Sequence, residues 1–254
     1  MSLRNRVRLT LIALVAMWTA VWAVVWSQYP DNSGGKWELV SAFFVIAIGV
    51  GLSNVLARKS LRLFRSALAI EDIPAARREQ ANLADFWRRR GRETIKAYHI
   101  NILMLEEHYQ DALKELQALD RGKLAKNAAP VVENQIAWCR MHLGEPDKAM
   151  QVVESVLPQL ESMGPDYGSS GHLVLGTANF LLSNPSEALP HLEKTYLSSA
   201  HLPVMKATAA FYLGESFSAL GKTEDARKWY RHALDALPNC KFGMRASERL
   251  KTAP

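Results

Sequence analysis

Charged residues are missing from most of the first 57 positions of this 254-residue chain. No Asp, Glu, Lys, Arg or His occurs between Leu9 and Pro30, and none occurs between Leu39 and Ala57. Each run is long enough to cross a bilayer, because a spanning helix needs about 20 predominantly apolar residues. The absence of ionisable side chains argues against transport or proton relay, which use such groups inside the membrane.

Each run has a second interpretation. The first is preceded by Arg4, Arg6 and Arg8, as a signal peptide would be, but no Ala-x-Ala-like cleavage site follows it. Its bulky Trp18 and Trp22 also favour an uncleaved span. The second run is either a span or a buried core helix, and uncharged core helices of this length are uncommon. We therefore expect a transmembrane hairpin of two helices, at about 9–28 and 38–57.

Cysteine is scarce, and the motifs of common catalytic and metal sites are absent. Cys139 and Cys240 lie far apart without a CxxC pattern, which excludes a structural zinc site and favours buried, reduced thiols. The seven histidines form no HExxH, and the sequence contains no Walker loop, GxGxxG or GxSxG. The sequence therefore predicts a protein that is not an enzyme and needs no cofactor or metal.

The net charge of +6 is concentrated next to the second uncharged run. Residues 58–96 hold eleven Lys and Arg against five acids, whereas the chain from residue 97 onward is slightly acidic. This distribution argues against nucleic acid as a partner and, by the positive-inside rule, predicts that both termini are cytoplasmic. We expect an integral protein of the inner or plasma membrane with a cytoplasmic soluble domain. The candidate contacts to lipid headgroups are Arg58, Lys59, Arg62 and Arg65.

An internal repeat organises the soluble part. Its best copy contains, in order, Leu213-Gly214, Phe217, Gly221, Ala226, Tyr230, Ala233 and Pro238. This order resembles the signature of the tetratricopeptide repeat family, in which two helices pair around small residues. The resemblance implies an α-solenoid whose first helices line a concave groove that binds a peptide or protein.

Weaker copies precede this one. The equivalent alanines are Ala112, Ala149, Ala188 and Ala226, spaced 37, 39 and 38 residues apart, whereas the family period is 34. Ala75 suggests a still earlier, degenerate copy in which Asp72 caps the second helix. We interpret Gly164 to Gly171 as a long turn. Lys241 to Lys251 is expected to form a capping helix with Phe242, Ala246 and Leu250 inward.

The predicted fold is therefore all-α, with a transmembrane hairpin followed by about four to five tetratricopeptide-like helix pairs. Residues 1–57 form the tail and hairpin, 58–92 a basic linker or degenerate repeat, and 93–254 the solenoid with its cap. No Gly or Pro interrupts residues 52–73, so the second span is expected to continue as one helix to about Ile70.

Aligned repeats place candidate partner contacts on the first helices. These are Asn101, Met104, Asn134, Trp138, Thr177, Phe211 and Glu215. Trp138 is either an aromatic anchor in the groove or part of the core between layers. The favoured function is a scaffold or adaptor for a protein or peptide partner at the membrane. The alternative is an assembly or stabilising subunit of a membrane complex, recognised through the hairpin.

Overall fold

A computed structural model describes residues 55–86, 92–124, 127–199 and 201–252, together with the single positions Leu9, Ile12, Ala13, Ala16, Met17 and Gly51. Every regular element in these ranges is helical, so the fold is all-α as predicted. Among the described residues, no helix is both long and apolar enough to cross a membrane. The two predicted spans lie almost wholly outside the described residues.

Helix α1 covers residues 55–69. This confirms the part of the predicted continuous helix that lies between residue 55 and about Ile70. The remaining helices are α2 (Ile73–Phe86), α3 (Arg92–Leu105), α4 (Tyr109–Gln117), α5 (Ala128–His142), α6 (Pro146–Ser162), α7 (Pro165–Leu181), α8 (Pro185–Ser198), α9 (Pro203–Ala219), α10 (Thr223–Ala236) and α11 (Lys241–Thr252). A 3₁₀ turn, Arg121–Lys123, lies between α4 and α5.

Two compact units contain these helices. One consists of Met1–Arg65 and Pro74–Ile95, and the other of Ser66–Ile73 and Lys96–Pro254. Within the second unit each helix from α4 to α11 packs against the next, and α5, α7, α9 and α11 also pack in succession. This is the arrangement of an α-solenoid, in which first helices stack on first helices.

Five turns with the same hydrogen bonds divide the helices into pairs. Each has a residue with positive φ, at Glu71, Glu107, Gly144, Ser183 and Gly221. The next amide donates to the carbonyl five residues before it at 2.9–3.0 Å, and the positive-φ amide donates to the carbonyl three residues before it at 3.0–3.3 Å. This is the Schellman motif, which satisfies carbonyls at the end of a helix. The second helix of each pair begins two residues later.

A buried alanine lies five residues after each positive-φ position. Ala112, Ala149, Ala188 and Ala226 are all buried, as the repeat predicted. The assignment of Ala75 to the earliest copy is wrong, because Ala76 is the fully buried residue five positions after Glu71. Glu71 and Glu107 are 36 residues apart, so the period is slightly shorter at this end.

The prediction of a long turn from Gly164 to Gly171 is also wrong. Only Gly164, with φ 124°, lies outside α7, which begins at Pro165. A Cβ at Gly168 would lie 3.3 Å from Glu161 Cα, and one at Gly171 would lie 2.8 Å from Leu157 Cδ1. These glycines therefore allow α6 and α7 to approach closely, and they do not break the helix.

The cap and the cysteines follow the sequence analysis. In α11, Phe242 and Ala246 are buried, and Leu250 packs against the same core. Pro238 follows the end of α10. Cys139 and Cys240 are free thiols and fully buried, and burial raises the pKa of both. Their thiolate fraction is therefore small at neutral pH.

Gly214 on α9 lies against the ring of Tyr230 on α10, and Gly214→Ala tests that contact. A Cβ there would lie 2.5 Å from Cε1 of Tyr230, whose hydroxyl donates to Glu215 at 2.7 Å. We expect overpacking to lower the free energy of unfolding by about 1–3 kcal/mol, partly offset by the better helix propensity of alanine. Chemical denaturation measures the change. Lys228→Ala, an exposed change on α10, should be nearly neutral, and equal stability of both variants would contradict the close contact at Gly214.

Candidate functional site

The predicted partner contacts occupy equivalent positions in successive repeats. Asn101, Trp138, Thr177 and Glu215 each lie six residues before the positive-φ residue of their own turn. They belong to α3, α5, α7 and α9, the first helices of four consecutive pairs in the second unit. Stacking thus brings the four side chains onto one face of the layer of first helices.

Polar side chains connect neighbouring first helices on this face. Asn101 Oδ1 accepts a 2.9 Å hydrogen bond from Gln135 Nε2, and Asn101 Nδ2 donates to Ala97 O at 2.8 Å. Asn134 Nδ2 donates to Ser170 Oγ at 3.0 Å. The bond between Gln135 and Asn101 joins α3 to α5, and the bond between Asn134 and Ser170 joins α5 to α7. Both bonds fix the register of adjacent repeats.

Two oxygens on the same face are buried without a hydrogen-bond partner among the described residues. They are Oδ1 of Asn134 and Oγ1 of Thr177. A buried polar atom without a partner is costly, by about 1–3 kcal/mol. Both atoms are fully covered, so they lie beneath the face and are not open to a ligand in this arrangement.

Aromatic side chains cover much of the face. The Tyr109 ring stacks on His142 at 4.4 Å between centroids, and Trp138 meets His142 edge-on at 4.7 Å. Phe242 packs against Phe211 and Tyr212, at 5.4 and 5.5 Å between centroids. Burial raises the pKa of Tyr212 to about 12. The face is therefore a packed surface, and three of its predicted contacts, Asn134, Thr177 and Phe211, are buried.

Helix α11 engages two of the predicted contacts directly. Phe242 covers Phe211, and Arg249 binds Glu215 through Nε–Oε1 at 2.7 Å and Nη2–Oε2 at 2.8 Å. Met104 packs against a separate core cluster around Ile100 and Leu116. As partner contacts, the seven residues stay predictions.

The start of α11 also binds the two earliest turns of the same unit. The Lys241 amide donates to Glu71 Oε2 at 2.8 Å, and its ammonium group pairs with Glu107. Burial, with a contribution from nearby Arg245, lowers the pKa of Lys241 to about 8. Residues about 170 positions apart are thus held together across the unit.

A separate pair of histidines lies between α7 and α8. His172 Nδ1 is 2.9 Å from His191 Nδ1, and His172 Nε2 is 3.0 Å from Glu161 Oε1, which Lys194 also binds. The short distance between the two Nδ1 atoms requires that one of them carry the proton. Burial, followed by the charges of His172 and Lys194, lowers the pKa of His191. Within the described ranges, no group of three or more His, Cys, Asp or Glu is arranged to hold a metal ion.

The sequence analysis did not single out four residues that pack on or beside the face of the first helices. They are Tyr109, His142, Tyr212 and Phe242, the last of which was expected only to pack inward in the capping helix. Tyr212 adjoins the predicted Phe211, and His142 lies in the last turn of α5. Their meeting depends on how four repeats coil around each other. The repeat pattern of one copy does not carry that information.

The predicted lipid contacts lie together on α1. Arg58, Lys59, Arg62 and Arg65 are all exposed. The opposite side of the helix buries Ala57, Ser60 and Phe64. The four basic residues therefore share one surface of this helix.

His142 makes the stability of this face depend on pH. Its Nε2 is buried without a partner among the described residues, and burial, then Arg245, lowers its pKa from 6.5 to about 4. Between these values the unfolded chain binds more protons than the folded one. The free energy of unfolding should thus fall by about 2–3 kcal/mol as the pH decreases through this range.

His142→Phe should remove this pH dependence while keeping the stack on Tyr109. We expect its denaturation free energy to change less between pH 6.5 and 4 than that of the wild type, with the difference equal to the contribution of His142. His201→Phe, at an exposed histidine, should retain the wild-type slope. Parallel slopes for wild type and His142→Phe would show that His142 does not titrate differently on folding.

No protein-family model matches this chain, and a search of curated proteins finds no significant match. The repeat geometry and the side chains on the face of the first helices are therefore the basis for a functional proposal.

Proposed function

We propose that this protein is a membrane-anchored scaffold of the tetratricopeptide type, which binds a protein or peptide partner at the cytoplasmic membrane face. The observation that carries the proposal is the equivalence of Asn101, Trp138, Thr177 and Glu215 in four stacked first helices. Such a surface suits an extended ligand, because each repeat presents one side chain to successive parts of it. The two uncharged runs, at about 9–28 and 38–57, supply the anchor.

The chemistry of the face supports a peptide ligand. Asn101 and Gln135 are half-buried polar side chains on this face, and their amide groups carry both the donors and the acceptors that a peptide backbone needs. Trp138 packs between two core clusters and offers an aromatic anchor, a residue type that dominates interface energies. No metal or cofactor is part of the proposal.

Site-specific photo-crosslinking in the membrane of the native cell tests the proposal. A benzophenone amino acid at Trp138 should give one discrete crosslinked partner, and Asn134→Ala in the same chain should weaken that band. The control position is Tyr167, an exposed aromatic residue on α7. Crosslinks at Tyr167 but not at Trp138 would contradict a partner on the concave face.

The alternative function, an assembly or stabilising subunit, is favoured by one observation. Phe211 and Glu215 are engaged by α11, which leaves fewer predicted contacts for a partner. In that case the hairpin is the recognition element. A benzophenone at Trp22, in the first uncharged run, should then crosslink a membrane protein, and deletion of residues 1–57 should abolish the association.

A further inference from the structure

The exposed charged side chains that the structure describes in the first unit are all basic. Among its described side chains, Arg58, Lys59, Arg62, Arg65, Arg77 and Arg78 are exposed. The acids Glu79 and Glu93 are buried, and Glu79 accepts a hydrogen bond from Asn82 and faces Arg78 at 3.6 Å. The described surface of this unit is therefore cationic.

Helix α1 concentrates this charge on one face. At about 100° per residue, the exposed positions 55, 58, 59, 62, 63 and 65 lie within an arc of about 160°. Ala57, Ser60 and Phe64 are buried on the opposite side. No acid occurs from residue 39 to residue 70, and the four basic side chains of α1 form no ion pair within the described ranges.

Apolar side chains lie among the basic ones. Val55 is 61% exposed and Leu63 is 46% exposed. A nucleic acid offers no apolar layer for such residues. An anionic bilayer offers both, since phosphate groups bind the basic side chains and the acyl boundary accepts apolar ones.

We propose that the exposed face of α1 lies flat on a bilayer surface and binds anionic phospholipid headgroups. The inference rests on the proposed membrane anchoring and adds an orientation to it. It requires that the second span end before Val55 and that α1 not continue the span in a straight line, which differs from the expectation drawn from the sequence. In a helix perpendicular to the membrane, the two ends of this face would lie at different depths, because residues 55 and 66 would differ in depth by about 16 Å. The headgroup layer on each side is only about 5–8 Å thick. A flat helix keeps both positions at the same depth.

The test measures depth in the full chain, reconstituted in nanodiscs with headgroup-spin-labelled lipid as quencher. A fluorophore is attached to a cysteine at Val55 or at Ser66, which is also exposed on α1. The native Cys139 and Cys240 are fully buried. We expect equal quenching at both positions in discs containing phosphatidylglycerol. In purely zwitterionic discs or at high salt, quenching at Ser66 should be lost, whereas Val55, next to the anchor, should stay quenched. A probe at Leu197, exposed on α8, should not be quenched.

Neutralisation of the face supplies the matched comparison. The quadruple variant R58Q/K59Q/R62Q/R65Q should lose the quenching at Ser66. The control K114Q/K148Q/K228Q/R231Q removes four exposed charges elsewhere and should retain it. Circular dichroism of both variants confirms that they are folded.

Each remaining outcome decides against the proposal. Quenching at Val55 without quenching at Ser66 would mean an upright helix. Loss of binding to homopolymeric RNA in the quadruple variant, with unchanged quenching, would assign the face to nucleic acid. If alkaline carbonate releases the wild-type chain from native membranes, the anchoring itself fails. If the chain stays in the membrane and neither probe is quenched, only the headgroup contact fails.

Discussion

Replacing Trp138 with alanine is expected to lower the free energy of unfolding by about 3 kcal/mol, at the lower end of the range for large buried aromatics. Trp138 packs against two core clusters of the second unit and meets His142 edge-on. It is only partly buried, and the accessible part of its ring remains available to a ligand. The cost comes from the buried part.

Denaturation of the full chain in detergent measures this cost. Trp138→Phe keeps an aromatic ring beside His142 and should recover most of the stability. Tyr167→Ala, at an exposed aromatic residue, should be nearly neutral. If Trp138→Ala unfolds at the wild-type denaturant concentration but no longer co-purifies with the partner that the crosslink identifies, the residue is purely a ligand contact and the packing interpretation is wrong.

The alanine spacing predicted the repeat because small residues are needed wherever paired helices approach closely. Ala112, Ala149, Ala188 and Ala226 are buried without exception. The turns were harder to recognise, because only two of the five Schellman turns in the described residues have glycine at the positive-φ position. Glu107 and Ser183 adopt the same conformation, and nothing in their residue type indicates it. The hydrogen bonds of the Schellman motif hold them there.

The glycines of α7 show the opposite failure. Gly168 and Gly171 indicated a turn by residue type, yet both are helical because α6 lies too close for a side chain. Propensity describes a chain in isolation, whereas the packing of α6 against α7 decides here. The serines between them, Ser169 and Ser170, satisfy their hydroxyls on carbonyls of their own helix.

The packing of α11 on the face of the first helices could not be predicted from one repeat. The position of α11 is fixed partly by contacts of Lys241 with Glu71 and Glu107, which lie far earlier in the chain. The positions of Trp138 and Glu215 on first helices followed from the alignment. Their partners, His142 and Arg249, depend on the coiling of the whole unit.

Phe242→Ala is expected to release α11 from the face formed by the first helices. Phe242 is buried between the rings of Phe211 and Tyr212, and truncating a buried phenylalanine costs about 3–5 kcal/mol. This loss falls mainly on the elements that α11 contacts, which are α9, α10 and, through Lys241, the turns at Glu71 and Glu107. Amide exchange should therefore accelerate in α11, in the adjoining part of α9 and at those two turns, while α6 and α7 keep their protection.

Met244→Ala is the matched control, since Met244 lies on the same helix and is 54% exposed. It should leave exchange in α9 unchanged. Release of α11 frees Phe211 and the carboxylate of Glu215, which Arg249 otherwise binds. If the face of the first helices binds the partner, Phe242→Ala should strengthen the crosslink from position 138, because Phe211 and Glu215 become more accessible. If the crosslink weakens although α11 exchanges rapidly, the packed face with α11 in place is the surface that the partner recognises.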